Sequence, residues 1–91
     1  MKYKIFVVFD GKTKSWGLPF LKDFTANALR EWSEIASDVS DKNNQIAKYP
    51  DDFTLFEIGE YNRMDGSIIM YETKYSLGLA SEQKQNLVSQ N

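Results

Sequence analysis

Two groups of side chains in this chain are of a type and spacing that could do chemistry. One is a set of carboxylates, Asp51, Asp52, Glu57, Glu60 and Glu72, and the other a series of lysines interleaved with aromatic rings between residues 2 and 22. Oxygen ligands around an open octahedral site are what Mg²⁺ requires for phosphodiester chemistry. Pro50-Asp51 followed by Glu57-Ile58-Gly59 approaches the Pro-Asp…Glu-x-Lys arrangement of metal-dependent nucleases. Glycine stands, however, where a lysine would stabilise the developing phosphate charge, so the pattern fails at its most diagnostic position. Carboxylates at strand edges are ordinarily solvated. The chain contains no Cys and no His, which removes the thiolate nucleophile, the Ser-His-Asp relay, the imidazole base and the common zinc sites. Its five glycines have neither phosphate-loop nor dinucleotide spacing. The expectation is a protein without catalysis, metal or cofactor.

The basic group points elsewhere. Residues 1–22 hold Lys2, Lys4, Lys12, Lys14 and Lys22 against Asp10 alone, a local balance of +4 within a net charge of −2, which leaves −6 for the remainder. Tyr3 lies between Lys2 and Lys4, and Trp16 sits in a turn-rich segment with Lys12, Lys14 and Lys22 nearby. A basic groove with aromatic platforms is a recurrent way to hold single-stranded nucleic acid, because lysines pair with phosphates while bases stack on rings. Lys2, Tyr3, Lys4, Lys12, Lys14, Trp16 and Lys22 are the nucleic-acid-binding residues on this reading, with single-stranded DNA as the expected partner. The competing reading is a solvated edge, since exposed lysines also keep edge strands soluble.

The elements that must position these residues can be read from periodicity. Ninety-one residues suit one core, and 42% apolar with 26% charged residues matches an ordinary globular domain that folds without staples. Lys2–Phe9 is rich in β-branched and aromatic residues and ends at Asp10-Gly11, which predicts a strand entering a turn. Its alternation puts Tyr3, Ile5, Val7 and Phe9 on one face and Lys2, Lys4, Phe6 and Val8 on the other, so both faces are partly apolar. A short second strand is expected around Lys14–Gly17, ending before Pro19. From Ala26 to about Val39, the apolar Ala28, Leu29, Trp32, Ile35, Ala36 and Val39 recur at helical steps, with Thr25 as expected N-cap and the polar run 40–44 as stop. Asp52–Tyr61 and Ser67–Thr73 flank a five-residue loop ending in Asp65-Gly66, the pattern of an antiparallel hairpin. Gly59 within a strand implies a bulge or a close backbone approach, and Gly66 a turn with positive φ. The expected fold is α+β: an antiparallel sheet of three to four strands with one amphipathic helix on one face, in a single domain over 1–80. The Tyr3/Ile5/Val7/Phe9 face is expected to meet the helix. Residues 81–91 read as a polar tail, frayed or ordered by a partner.

The motifs Ile5-Phe6-Val7-Val8-Phe9-Asp10, Pro19-Phe20, Thr25 with Ala28 to Trp32, and above all Tyr49-Pro50-Asp51-Asp52-Phe53-Thr54-Leu55-Phe56-Glu57-Ile58-Gly59-Glu60-Tyr61 carry a resemblance. With Asp65-Gly66 and Ser76-Leu77-Gly78, the chain resembles the small nonstructural proteins of gokushoviruses, a branch of the single-stranded DNA microviruses. The likeness spans roughly residues 5–80 and leaves out the glutamine-rich tail. It implies a phage protein made in the bacterial cytoplasm, absent from the virion and counterpart to the microvirus C protein, in the switch from DNA replication to genome packaging. DNA binding is often presumed for such proteins, and the family offers no catalytic residues to carry over.

Three functional readings follow. The first is a non-enzymatic protein that binds single-stranded DNA in viral replication or packaging. The second is a protein-interaction module for a phage or host replication factor. A homodimer fits both, because Phe6, Val8, Phe56 and Ile58 are expected to leave an apolar sheet face that one helix cannot cover. The third is an inhibitor of a host nucleic-acid enzyme whose Asp51, Asp52, Glu57 and Glu60 imitate phosphates. The opening apolar run, Ile5–Phe9, is too short for a signal peptide or a membrane span, so no membrane partner is expected.

Overall fold

The computed structural model describes residues 2–83. Strand β1 (Lys2–Asp10) occupies the middle of an antiparallel sheet. Two short strands, β2 (Ser15–Trp16) and β3 (Phe20–Lys22), pair in succession along one edge of β1, while β4 (Phe53–Asn62) pairs along the other and β5 (Ile68–Leu79) lies beyond β4. Helix α1 (Thr25–Ser37) follows β3, and a single turn, α2 (Gln45–Lys48), precedes β4. The fold is α+β with one main helix, as the periodicity implied. It adds β3 beyond the proline and α2 within the polar stretch, and it prolongs the last strand from Thr73 to Leu79.

The helix does not lie on the expected face. Its buried stripe, Ala28, Trp32 and Ala36, packs with Phe6, Leu55 and Ala80, and Val8, Phe20, Phe53 and Leu77 close around them. Alternation had sorted β1 correctly into two faces, but the Phe6/Val8 face receives α1. The small side chains of Ala28 and Ala36 let the helix approach closely enough to enclose the Phe6 ring, which is fully buried. A bulge between Ile5 and Phe6 in the β1–β4 ladder shifts the register there, so that Ile5 faces Gly59 and Phe6 faces Glu57.

The helix ends also depart from expectation. Thr25 is the first helical residue rather than the cap, and the N-cap position belongs to Phe24, whose side chain cannot accept a bond. Asp23 supplies the local anchor instead, its Oδ1 accepting from the Phe24 N–H at 2.9 Å and from the Asn27 side-chain amide at 2.7 Å. At the other end Asn44 joins the two helices. Its amide donates to the carbonyls of Ile35 (2.8 Å) and Asp38 (3.0 Å), while its oxygen caps α2 by accepting from the Ala47 N–H.

Gly59 and Gly66 hold the places expected of them. Gly66 closes the β4–β5 loop at φ +75°. A Cβ at Gly59 would lie 2.5 Å from the Ile69 carbonyl oxygen on β5, where the ladder changes register. Packed structure also continues past residue 80: Ala80 is fully buried, a helical turn begins there, and Gln83 accepts a bond from the Ser33 hydroxyl at 3.0 Å. The rest of the polar tail, 84–91, lies outside the described residues.

Gly59→Ala should therefore lower stability by about 1–3 kcal/mol, because the clash is with backbone that can yield only by opening the ladder. Gly17→Ala, whose Cβ would sit 3.4 Å from the Val8 carbonyl, should shift it by no more than about 0.5 kcal/mol. Urea denaturation of both variants checks the contrast, and equal losses would contradict it.

Candidate nucleic-acid interface

The face of the sheet opposite α1 is covered by its own side chains. Ile5, Val7 and Ile58 are buried there with no helical residue in their cluster, and Phe56 and Tyr61 pack against them. Phe9 and Trp16 face one another across the β1–β2 ladder with ring centroids 4.5 Å apart, and the Phe56 ring meets Trp16 edge-on at 5.2 Å. The sheet curls so far that Lys74, on β5, brings its ammonium to 5.4 Å from the Trp16 ring on β2, across both intervening strands. At the far end of the face, Tyr3 pairs with Tyr61 across the ladder. The Arg63 guanidinium lies over the Tyr3 ring at 5.6 Å and donates to its hydroxyl at 3.1 Å. The result is a ring-lined surface with a cation over the ring at each end, an arrangement stabilised by the negative face of the aromatic system.

The residues expected to bind nucleic acid are thus only partly brought together. Tyr3 and Trp16 share this face, and Trp16 remains 46% exposed. Lys2, Lys4 and Lys22 belong to the other face, where carboxylates engage them: Lys4 donates to Glu60 at 2.8 Å, Lys2 approaches the same carboxylate at 3.8 Å, and Lys22 pairs with Glu31. The Lys4 hydrogen bond and charge hold the Glu60 carboxyl below its ordinary pKa, and the same bond raises Lys4. Lys12 and Lys14 stand exposed in the turn before β2, where the Asp10 carboxylate accepts from the Lys12 and Thr13 N–H groups and Lys14 takes a positive φ of 60°. The cations beside the rings are Arg63 and Lys74.

A model of the family described as Phage ORF5 protein matches residues 3–83. The chain belongs to this phage protein family. No curated protein and no solved structure matches it.

In this ORF5 family member the four residues expected to form one oligomer surface are divided between faces. Phe6 and Val8 lie under α1, and Phe56 and Ile58 lie in the opposite cluster. They cannot meet a partner together, because cross-strand alternation separates them by the thickness of the sheet. The phosphate-mimic set is dispersed too. Glu57 is buried and Glu60 is held by Lys4 and Lys2, which leaves Asp51 and Asp52 at the turn before β4. Among the described residues no three acidic, His or Cys side chains are grouped to hold a metal ion. Nor is any helix among them long and apolar enough to cross a membrane.

Glu57 has a structural role instead. It accepts from the Thr25 hydroxyl at 2.7 Å and from the Tyr71 hydroxyl at 2.6 Å, so one carboxylate ties the start of α1 and strand β5 to β4. Burial and the bond to Glu57 push the Tyr71 phenol up to about 12. The folded protein holds that proton more tightly than the unfolded chain, where tyrosine titrates near 10. The associated stabilisation is complete below pH ~10 and is lost as pH rises from ~10 to ~12. The stability advantage of the natural chain over Tyr71→Phe should accordingly shrink over that interval, followed by denaturation at fixed pH values. The tyrosinate absorbance titration should lose its latest step in the variant. An advantage that holds constant across the interval would show that Tyr71 ionises as an ordinary exposed tyrosine.

Proposed function

We propose that this phage protein binds single-stranded DNA on its ring-lined sheet face and acts, without catalysis, in viral DNA replication or the switch to genome packaging. The observation that carries this reading is the surroundings of Trp16. An indole that is nearly half exposed is braced by Phe9 and Phe56 and carries the Lys74 ammonium over its ring. A base stacking on such a ring needs no particular sequence, and a neighbouring ammonium is suited to the adjoining phosphate. Lys12 and Lys14, one turn away, extend the positive charge. The resemblance to gokushovirus small nonstructural proteins supports the setting: a counterpart of the microvirus C protein in the cytoplasm of the infected bacterium, outside the virion.

A second reading, a module that engages a phage or host replication protein without touching DNA, is favoured by a different surface. Leu18 is 91% exposed, and Leu21 and Phe24 are exposed beside the start of α1.

Fluorescence anisotropy of labelled single-stranded and duplex oligonucleotides at two salt concentrations separates the two. Single strands should bind preferentially and more weakly at high salt. Trp16→Ala should weaken binding by about 5–150-fold, the value of one stacked base at about 1–3 kcal/mol. Replacing Lys12 and Lys14 with Ala should flatten the salt dependence, since each phosphate contact contributes a slope of about 0.7 on single strands. Intrinsic emission gives an internal control. Trp32 is buried in the core, so quenching by DNA should vanish in Trp16→Phe. Absence of binding at low salt would overturn the DNA reading and leave the second.

A further inference from the structure

Among the described residues strand β5 has β4 as its sole neighbour in the sheet, and its first three residues, Ile68, Ile69 and Met70, are 61%, 59% and 54% exposed. Consecutive strand residues point to alternate faces, so the sheet is apolar on both sides at this one corner. Edges are ordinarily blunted by charge, proline or a bulge. Ser67–Tyr71 contains no charge and no proline, and the register irregularity of β5 falls beyond Met70.

The backbone at this corner is oriented for pairing. The Asn62 N–H donates to the Ser67 carbonyl at 2.9 Å and the Asn62 carbonyl accepts from the Gly66 N–H at 2.8 Å, which puts Asn62 at a bonded position of the ladder, opposite a bulge at Gly66-Ser67. Antiparallel ladders alternate bonded and non-bonded pairs. In the unbroken register that follows, Tyr61 with Ile68 is non-bonded and Glu60 with Ile69 is bonded. The N–H and C=O groups of Ile68 and Met70 consequently point away from β4, out of the open edge.

We propose that this edge is a dimerisation site at which β5 of a second copy of the chain pairs antiparallel about a two-fold axis at Ile69. In that register Ile68 and the partner's Met70 exchange both backbone bonds, and symmetry repeats the exchange. Every outward-pointing group of Ile68 and Met70 is then satisfied on both copies. Ile69 meets the partner's Ile69 as a close non-bonded pair on the helix side, while Ile68 meets the partner's Met70 on the ring-lined side. Apolar surface lies against apolar surface on both faces. The first charge downstream, Glu72, falls opposite the partner's Gly66, so no like charges are opposed. The segment is its own complement in both backbone and side chains, which favours a second copy over an unrelated peptide. Three half-exposed side chains per copy bury far less than the roughly 1,200 Å² of a standard stable interface, so the dimer is one that dissociates on dilution.

Sedimentation velocity of the full chain over a wide concentration range tests this. The natural protein should pass from monomer to dimer, and Ile69→Lys, which sets two ammonium groups at the axis, should stay monomeric with an unchanged far-ultraviolet circular dichroism spectrum. Because the chain has no cysteine, Ile69→Cys introduces a single thiol at the axis. A non-bonded antiparallel pair has the Cα separation a disulfide needs, so mild oxidation should link copies of Ile69→Cys well ahead of Val39→Cys, an exposed control beyond the end of α1. A natural chain that is monomeric throughout, a dimer that survives Ile69→Lys, or equal cross-linking of the two cysteine variants would each overturn the proposal.

Discussion

Strand β1 is apolar on both faces and lies between strands on both edges, and this demand for cover on two sides organises the rest of the domain. One helix satisfies one side. Among the described residues no helix packs on the other, which is closed by aromatic side chains drawn from β1, β2 and β4 and by the curl of the sheet itself. Rings suit this task because each covers a large area at low conformational cost. A roof built of rings necessarily presents some of their surface outward, and Trp16 is where that happens. The closure of the face and the exposure of Trp16 thus have a common origin.

Charge is distributed by the same geometry. The lysines that alternate with Tyr3 and Ile5 project to the helix side, where Glu60 answers them, and Lys22 on β3 is answered by Glu31. These pairs remain partly open to solvent and are worth little to folding. Their larger effect is on the surface potential, since pairing removes Lys2, Lys4 and Lys22 from the positive field that the linear sequence suggests. Positive charge survives at the Lys12–Lys14 turn and above the rings, a smaller and more directional patch than the +4 segment implied.

The fold class was legible because its signals are local. A period of two along Lys2–Phe9, a period near 3.6 from Ala28 to Ala36, and Asp65-Gly66 between two strand-like runs each identify an element without knowledge of its neighbours. Gly59 was legible for the same reason, as a residue whose missing side chain had to matter. What escaped was relational. Which face of β1 takes the helix depends on how Ala28 and Ala36 fit over Phe6, and that fit exists only once β4 is paired. Thr25 suits a cap by residue type, but its hydroxyl donates to Glu57, 32 residues away. Arg63 and Lys74 do not stand out in the chain as partners of rings, because one lies in a loop and the other past the expected end of the last strand. A longer β5 would have been the only cue to Lys74, and the shift in register that brings it over Trp16 has no signature in the chain.

The turn between β1 and β2 carries one more implication. Lys14 occupies the left-handed region that glycine or asparagine enters most easily, and a side chain with a Cβ is held there at about 1–2 kcal/mol. Glycine at this position would relieve the backbone and remove an ammonium group in one step. The hairpin tip therefore stands off its own stability optimum while holding a charge at an exposed turn, so that in this one backbone position stability and surface charge pull in opposite directions.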